Sequence, residues 1–288
     1  MTIIITTKQL KHQIILALYI NSYAKVNRMK PKTKQGKKLQ NFNIIMGCIH
    51  LVQATVMLFI LNYSLKIPII TRFFDQSPNG SFTVSTKVLI DVPIAVVAPV
   101  FLLISALFHF IISSPFYVRR YEANIKKGYN PMRWIEYSLS SSVMLVALLM
   151  MGGINELSSV VFVFTLNFLM NMWGLEMERY NQLTEKIKWF PYNMGVIAGI
   201  VPWIIGGLYF WVSTTNVADS IPWYAKLGFL ITFLFFNSFA INMVLQYLKV
   251  GRWKNYVHGE RAYIWLSLIA KSSLAWILVL GTLNIAAK

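Results

Sequence analysis

Ala262-Tyr-Ile-Trp-Leu-Ser-Leu-Ile-Ala-Lys271-Ser-Ser-Leu-Ala-Trp-Ile-Leu-Val-Leu-Gly-Thr-Leu283 is an apolar run with one charge near its middle. A hydrocarbon core of ~30 Å needs about 20 apolar residues of helix, so this stretch is long enough to cross a bilayer. A lysine at that depth costs about 2.5–3.5 kcal/mol on insertion scales, and a chain that keeps one uses its amine. No acidic residue lies among its helical neighbours, so a counter-charge has to come from another segment.

Six further stretches have the same length and character: Asn43–Leu65, Val92–Ser114, Met132–Gly152, Leu157–Leu175, Phe190–Ser213 and Leu227–Leu248. With 56% hydrophobic and only 13% charged residues, the chain reads as an all-α membrane protein. Short connections favour one seven-transmembrane antiparallel bundle. No internal repeat and no inverted pair of broken segments of the transporter type stands out. The longest connection, Lys66 to Asp91, holds Pro78-Asn79-Gly80 followed by Phe82-Thr-Val-Ser-Thr-Lys-Val88. Asn-Gly is a tight-turn signal, which predicts a small β-hairpin over one mouth of the bundle. The single cysteine, Cys48, permits no disulfide framework and reads as a small packing residue.

Residues 1–38 form a basic N-terminal extension ahead of a seven-helix domain at 39–288. Its apolar run Ile14–Ile20 is too short to span. Two readings stand: an amphipathic helix lying in the interface, or an upstream extension ahead of a start at Met29.

Charge orients the bundle. Of 27 Lys and Arg, 21 fall before the first span or in alternate connections on that side. The opposite side holds five, Lys66, Arg72, Lys87, Lys226 and Lys288. The positive-inside rule then puts the N-terminus in the cytoplasm and the C-terminus outside a cell membrane. The net charge of +17 is chiefly this topology signal and a contact for anionic membrane lipids, not a nucleic-acid surface.

Acids are scarce, so each is weighed. Asp91 and Glu156 read as helix starts, Glu176 and Glu178 flank Arg179, and Glu260 adjoins Arg261, all ordinary capping or solvated positions. Glu136 differs, lying about one turn into the third span, where a bare carboxylate is costly without a cation. Lys271 is the only cation read at depth. The two pair if the third and seventh helices are neighbours; the alternative is an interfacial Glu136 beside Arg133. A buried Lys–Glu pair can also be purely structural.

Polar residues at helical spacing add a lining: Ser140 four after Glu136, Ser267 four before Lys271, His50 and Gln53 three apart, and Ser105 and His109 four apart. Such faces turn inward in lipid. Each histidine is either a satisfied core residue or a proton acceptor; two histidines alone make a thin zinc ligand set. Pro202-Trp203, Phe233, Phe235, Phe236 and Asn237 can wall an apolar pocket ending at Lys271, or serve only helix packing.

Taken together, the chain resembles the heliorhodopsins, microbial-type rhodopsins of inverted topology. The resemblance is carried by Leu39-Gln-Asn-Phe-Asn43, Ser105-Ala-Leu-Phe-His-Phe-Ile-Ile-Ser-Ser114, Arg133-Trp-Ile-Glu-Tyr-Ser-Leu-Ser-Ser-Ser-Val-Met144, Gly199-Ile-Val-Pro-Trp203, Phe235-Phe-Asn-Ser-Phe-Ala240 and Glu260-Arg-Ala-Tyr-Ile-Trp-Leu-Ser-Leu-Ile-Ala-Lys-Ser272. It extends from about Leu39 to the C-terminus. The family's inverted topology agrees with the charge count.

The resemblance implies that Lys271 carries all-trans retinal as a protonated Schiff base and that Glu136 is its counterion. It implies that His50, Gln53, Ser105, His109, Tyr137 and Ser267 surround the Schiff-base cavity, and that Met170, Trp203 and Phe236 lie near the polyene. A homodimer is implied too. An outward pump needs further carboxylates, yet the position eleven after Glu136 is Ala147 and the one a turn before the lysine is Ser267. The expectation is a slow-cycling photoreceptor, not an enzyme, that holds its proton inside and signals through an unidentified cytoplasmic partner. Light-driven or light-gated proton or ion transport is the alternative. A non-opsin transporter or lipid-handling enzyme is the second, although no metal cluster, nucleophile elbow or phosphate loop appears.

Overall fold

The computed structural model describes residues 33–216 and 223–286, and among these seven helices are long and apolar enough to cross a membrane. In chain order they are α1 Lys34–Ile60, α2 Ile94–Ser113, α4 Pro131–Met151, α5 Leu157–Tyr180, α6 Phe190–Asn216, α7 Trp223–Tyr247 and α8 Tyr256–Ala286. Two strands, β1 Lys66–Gln76 and β2 Phe82–Pro93, join α1 to α2, and a short helix, α3 Val118–Lys127, joins α2 to α4. The readings of the Ile14–Ile20 run and of a start at Met29 lie outside the described residues.

Helix ends follow local chemistry more than hydropathy. The helix of the first span begins at Lys34, well before Asn43, because the Thr33 hydroxyl accepts a bond from Gly36 N at 3.0 Å and caps the polar first turns. Asn130 caps α4 with Pro131 in its first turn, and Glu156 caps α5 by accepting from Ser158 N and Ser159 N. Those amide bonds and the Ser158 hydroxyl, the largest cause, hold the Glu156 carboxyl below its ordinary range. Asp91, read as a helix start, instead lies in β2 paired with Pro68. The helix α3 was not foreseen; its sequence VRRYEANIKK is too polar to span, and it ends at Gly128, whose φ of 82° only glycine adopts freely.

The hairpin forms as expected. β1 and β2 pair antiparallel from Lys66↔Pro93 to Gln76↔Phe82, with a bulge between Ile69 and Ile70. Its turn closes through Gly80 N to Ser77 O at 2.8 Å, with Gly80 at φ +82°. Ile70 N donates to Asn155 O at 3.0 Å, and Asn155 Nδ2 donates to Pro68 O at 2.8 Å. These bonds pin the hairpin to the turn between α4 and α5. The hairpin thus lies at one end of the bundle and α3 at the opposite one, the α3 end.

Lipid tails are as apolar as leucine, so packing and polar bonds hold membrane helices together. Small side chains accordingly fill the contacts: Ala54, Ala98, Ala147 and Ala275 are fully buried around Phe101, Leu102, Leu145 and Leu274. At Gly174 a Cβ would lie 2.4 Å from the Trp134 ring, so only glycine lets α5 approach α4 there. The packing order runs α1–α2–α4–α5–α6 on one side, while α8 packs on α7, α2 and α1. Cys48 faces outward from α1 and is exposed, which corrects its reading as a packing residue; its neighbours on that surface, Ile45 and Val52, are 54% and 60% exposed.

Candidate functional site

Lys271 on α8 and Glu136 on α4 meet in the interior, 3% and 5% exposed. Lys271 Nζ lies 2.5 Å from Glu136 Oε1 and also donates to Ser105 Oγ at 2.7 Å, while Ser105 Oγ donates to Glu136 Oε1 at 2.6 Å. Three helices therefore close one polar triangle. The Tyr137 ring flanks the amine, its centroid 5.2 Å from Nζ, and its hydroxyl donates to Tyr263 O at 2.8 Å, tying α4 to α8. Of the two readings of Glu136, pairing with Lys271 is the one seen.

The histidines lie near this triangle. His50 and His109 stack with centroids 5.7 Å apart and planes 16° from parallel. His109 Nδ1 is 2.8 Å from Asn43 Oδ1, a partner the sequence reading missed. Both His50 nitrogens are buried without hydrogen-bond partners among the described residues, while Ser140 faces Glu136 and Ser267 faces Tyr137. Gln53 lies farther along α1, where its Oε1 accepts from Trp276 Nε1 at 3.1 Å.

On the other side of Lys271 the surroundings are apolar. A narrow cavity runs from the amine past Tyr137, Met144, Met170, Phe236 and Phe239. It shares Met170, Asn171, Phe236 and Phe239 with a second, larger cavity that continues between α5, α6 and α7. Trp203 stands behind this wall, in edge contact with Phe229, Phe233 and Phe236 at 5.2–5.6 Å. These rings bridge α6 and α7. Asn237, read as a wall residue, is exposed and bonds back to Phe233 O at 2.8 Å.

A second ion cluster occupies the α3 end. Arg133 is 4% exposed, which corrects the reading of Lys271 as the only cation at depth. Its guanidinium binds Glu178 and Glu260, themselves 2% and 1% exposed. Neither acid is solvated, and neither pairs with its sequence neighbour Arg179 or Arg261; only Glu176 does, at 3.0 Å from Arg179. Glu178 also accepts from Trp134 Nε1 at 2.8 Å and Tyr256 Oη at 3.0 Å. Glu260 accepts from Asn130 Nδ2 at 2.8 Å and Tyr121 Oη at 3.0 Å. Burial pushes the Tyr121 hydroxyl up to about 12, with the bond from Asn43 opposing, so it stays a donor. A small polar cavity lined by His109, Glu136, Ser267, Asn43, Arg133 and Glu260 lies between the two clusters.

An elongated apolar aldehyde suits this arrangement. The donor set fits: one buried amine with a carboxylate partner, serine hydroxyls and the unpartnered His50 on one side, and an apolar trench on the other.

Fold and site thus define a seven-helix membrane protein organised around a buried lysine–glutamate pair. The chain belongs to the heliorhodopsin family, whose family model matches residues 39–283. It is therefore a retinal-binding, rhodopsin-like light-sensing protein that crosses the membrane several times. A search of curated proteins finds no match.

Proposed function

We propose that Lys271 carries all-trans retinal through a protonated Schiff base, that Glu136 is its counterion, and that the protein senses light without pumping ions. One observation carries this: Lys271 Nζ lies 2.5 Å from Glu136 Oε1, with both residues buried and the amine opening on an apolar cavity. Bound retinal supplies visible absorption and light-driven isomerisation. Everything else belongs to the chain.

A cation at Nζ in a low-dielectric interior keeps its proton only with an anion at hand. Glu136 Oε1 supplies that charge, and Ser105 holds both partners in place. Tyr137, Met170 and Phe236 exclude water along the cavity, and Trp203 braces Phe236. Ser140 beside Glu136 and Ser267 beside Tyr137 offer hydroxyls for a proton in transit, and His109, stacked on His50, is its resting place. Gln53 anchors Trp276 beside this region.

With Ala147 and Ser267 where an outward pump carries acids, the proton returns to Nζ instead of crossing. The charge bias sets the α3 end in the cytoplasm, its basic rim against anionic lipid, where a signalling partner reads the change. The working form is a homodimer.

Adding all-trans retinal to the purified apoprotein is expected to produce a visible band that Lys271→Ala abolishes. A band that survives in Lys271→Ala would sink the assignment. Glu136→Gln is expected to move the band to longer wavelength, and unchanged colour would remove Glu136 as counterion. Illuminated cells are expected to show no pH change that a protonophore removes; a sustained one would mean transport.

A further inference from the structure

The hydrogen bonds around Asn43 determine which nitrogen of His109 carries a proton. Leu39 O can only accept, so the Asn43 atom 2.9 Å from it is the amide nitrogen. That nitrogen also donates to Tyr121 Oη at 3.3 Å. The atom 2.8 Å from His109 Nδ1 is then Asn43 Oδ1, which likewise only accepts. Nδ1 must hold a hydrogen, and in a neutral imidazole this leaves Nε2 as the lone-pair acceptor. Tyr121 receives from Asn43, so its own hydrogen points to Glu260 Oε1 at 3.0 Å. Every donor and acceptor from His109 through Asn43 and Tyr121 to Glu260 is thereby assigned.

This row does not carry protons. To pass one, Asn43 Oδ1 would have to take it up while Nδ2 released another, leaving an imidic acid in place of an amide. The row conveys charge and orientation and stops the proton.

We propose that Asn43 is a positioning residue of the light reaction: it fixes His109 as the Nδ1–H tautomer, stabilises the imidazolium formed at Nε2, and insulates that proton from Glu260 and the α3 end. The inference rests on His109 as the acceptor. The proton balance is simple: it leaves Lys271 Nζ and is bound at His109 Nε2, while Nδ1–H stays on Asn43. His50 stacks on the same ring, and Glu136 shares the cavity that His109 lines.

Two measurements on the full-length, retinal-loaded protein test this. ¹⁵N-histidine NMR in the dark, with the His109 signal identified by its loss in His109→Ala, is expected to show Nδ1 protonated and Nε2 bare. This needs no Asn43 variant to fold. Flash spectroscopy then follows the light-induced state in which Nζ has lost its proton. A hydrogen bond to a charged group is worth about tenfold or more in an equilibrium. Asn43→Leu is therefore expected to shift the equilibrium about tenfold toward the proton on Nζ, and Asn43→Asp, with a carboxylate acceptor, to shift it the other way. A His109 signal from the Nε2–H tautomer, or two variants shifting the same way, would overturn the inference. If His109→Ala leaves the light-induced states unchanged while the tautomer is as assigned, the acceptor reading fails and the role in light fails with it, whereas the tautomer assignment stands.

Discussion

Lys271–Glu136 and Arg133–Glu178–Glu260 are both buried ion clusters that link α4 to α8, with Arg133 and Glu136 one helical turn apart. They differ in how densely they are bonded. Around Arg133 one guanidinium faces two carboxylates, each with further donors, and the Trp134 and Tyr263 rings lie 5.0 and 4.2 Å from it. Around Lys271 the charges balance one to one, both nitrogens of the nearby His50 lack partners, and one side opens on an apolar cavity. A densely bonded cluster is a lock holding helix ends together; a sparsely bonded one beside a cavity is where chemistry can happen.

The largest expected effect falls on the lock. Arg133→Met leaves two carboxylates buried and unpaired, and breaking a buried ion cluster by removing one partner costs about 3–5 kcal/mol. Thermal melting in detergent should show a large drop; a variant as stable as the parent would erase the distinction between the clusters.

A smaller effect is expected at high pH. Tyr121 ionises near 10 when unfolded and near 12 when folded, so its contribution is complete below pH 10 and lost as pH rises toward 12. Two pK units correspond to about 3 kcal/mol. Tyr121→Phe should flatten the fall in melting temperature over that window, and an identical alkaline profile would show that Tyr121 is not held as described.

The least change in stability is expected at the working pair. Replacing both members of a buried ion pair by well-packed apolar residues of similar volume is often neutral or better. Lys271→Met with Glu136→Met should therefore melt within about 1 kcal/mol of the parent while losing the visible band. A collapse as severe as that of Arg133→Met would make the pair structural.

The two clusters also differ in how visible they were beforehand. Lys271 announces itself because nothing apolar surrounds a charge without reason, and Glu136 follows as the acid that hydropathy cannot excuse. Glu178 and Glu260 were misread because Arg179 and Arg261 adjoin them in sequence. Adjacent residues on a helix point about 100° apart, so neighbours in the chain are poor partners. Spacing at three or four is the better signal, and it offers Glu178 no cation; its partner lies 45 residues away. Asn43 was quoted within a motif and passed over, since an asparagine at a span's edge reads as a boundary until His109 is seen against it. The helix α3 escaped because its sequence lacks the apolar length that revealed the others.

Span number, the hairpin turn at Asn79-Gly80 and the solitary deep lysine were determined by sequence alone, because bilayer thickness, turn stereochemistry and the cost of burying charge act on local stretches of chain. Which carboxylate faces which cation, which amide orients His109, and where the cavity runs were decided only by tertiary structure. Those depend on how helices rotate and pack against one another, and contacts between residues distant in the chain leave no local trace.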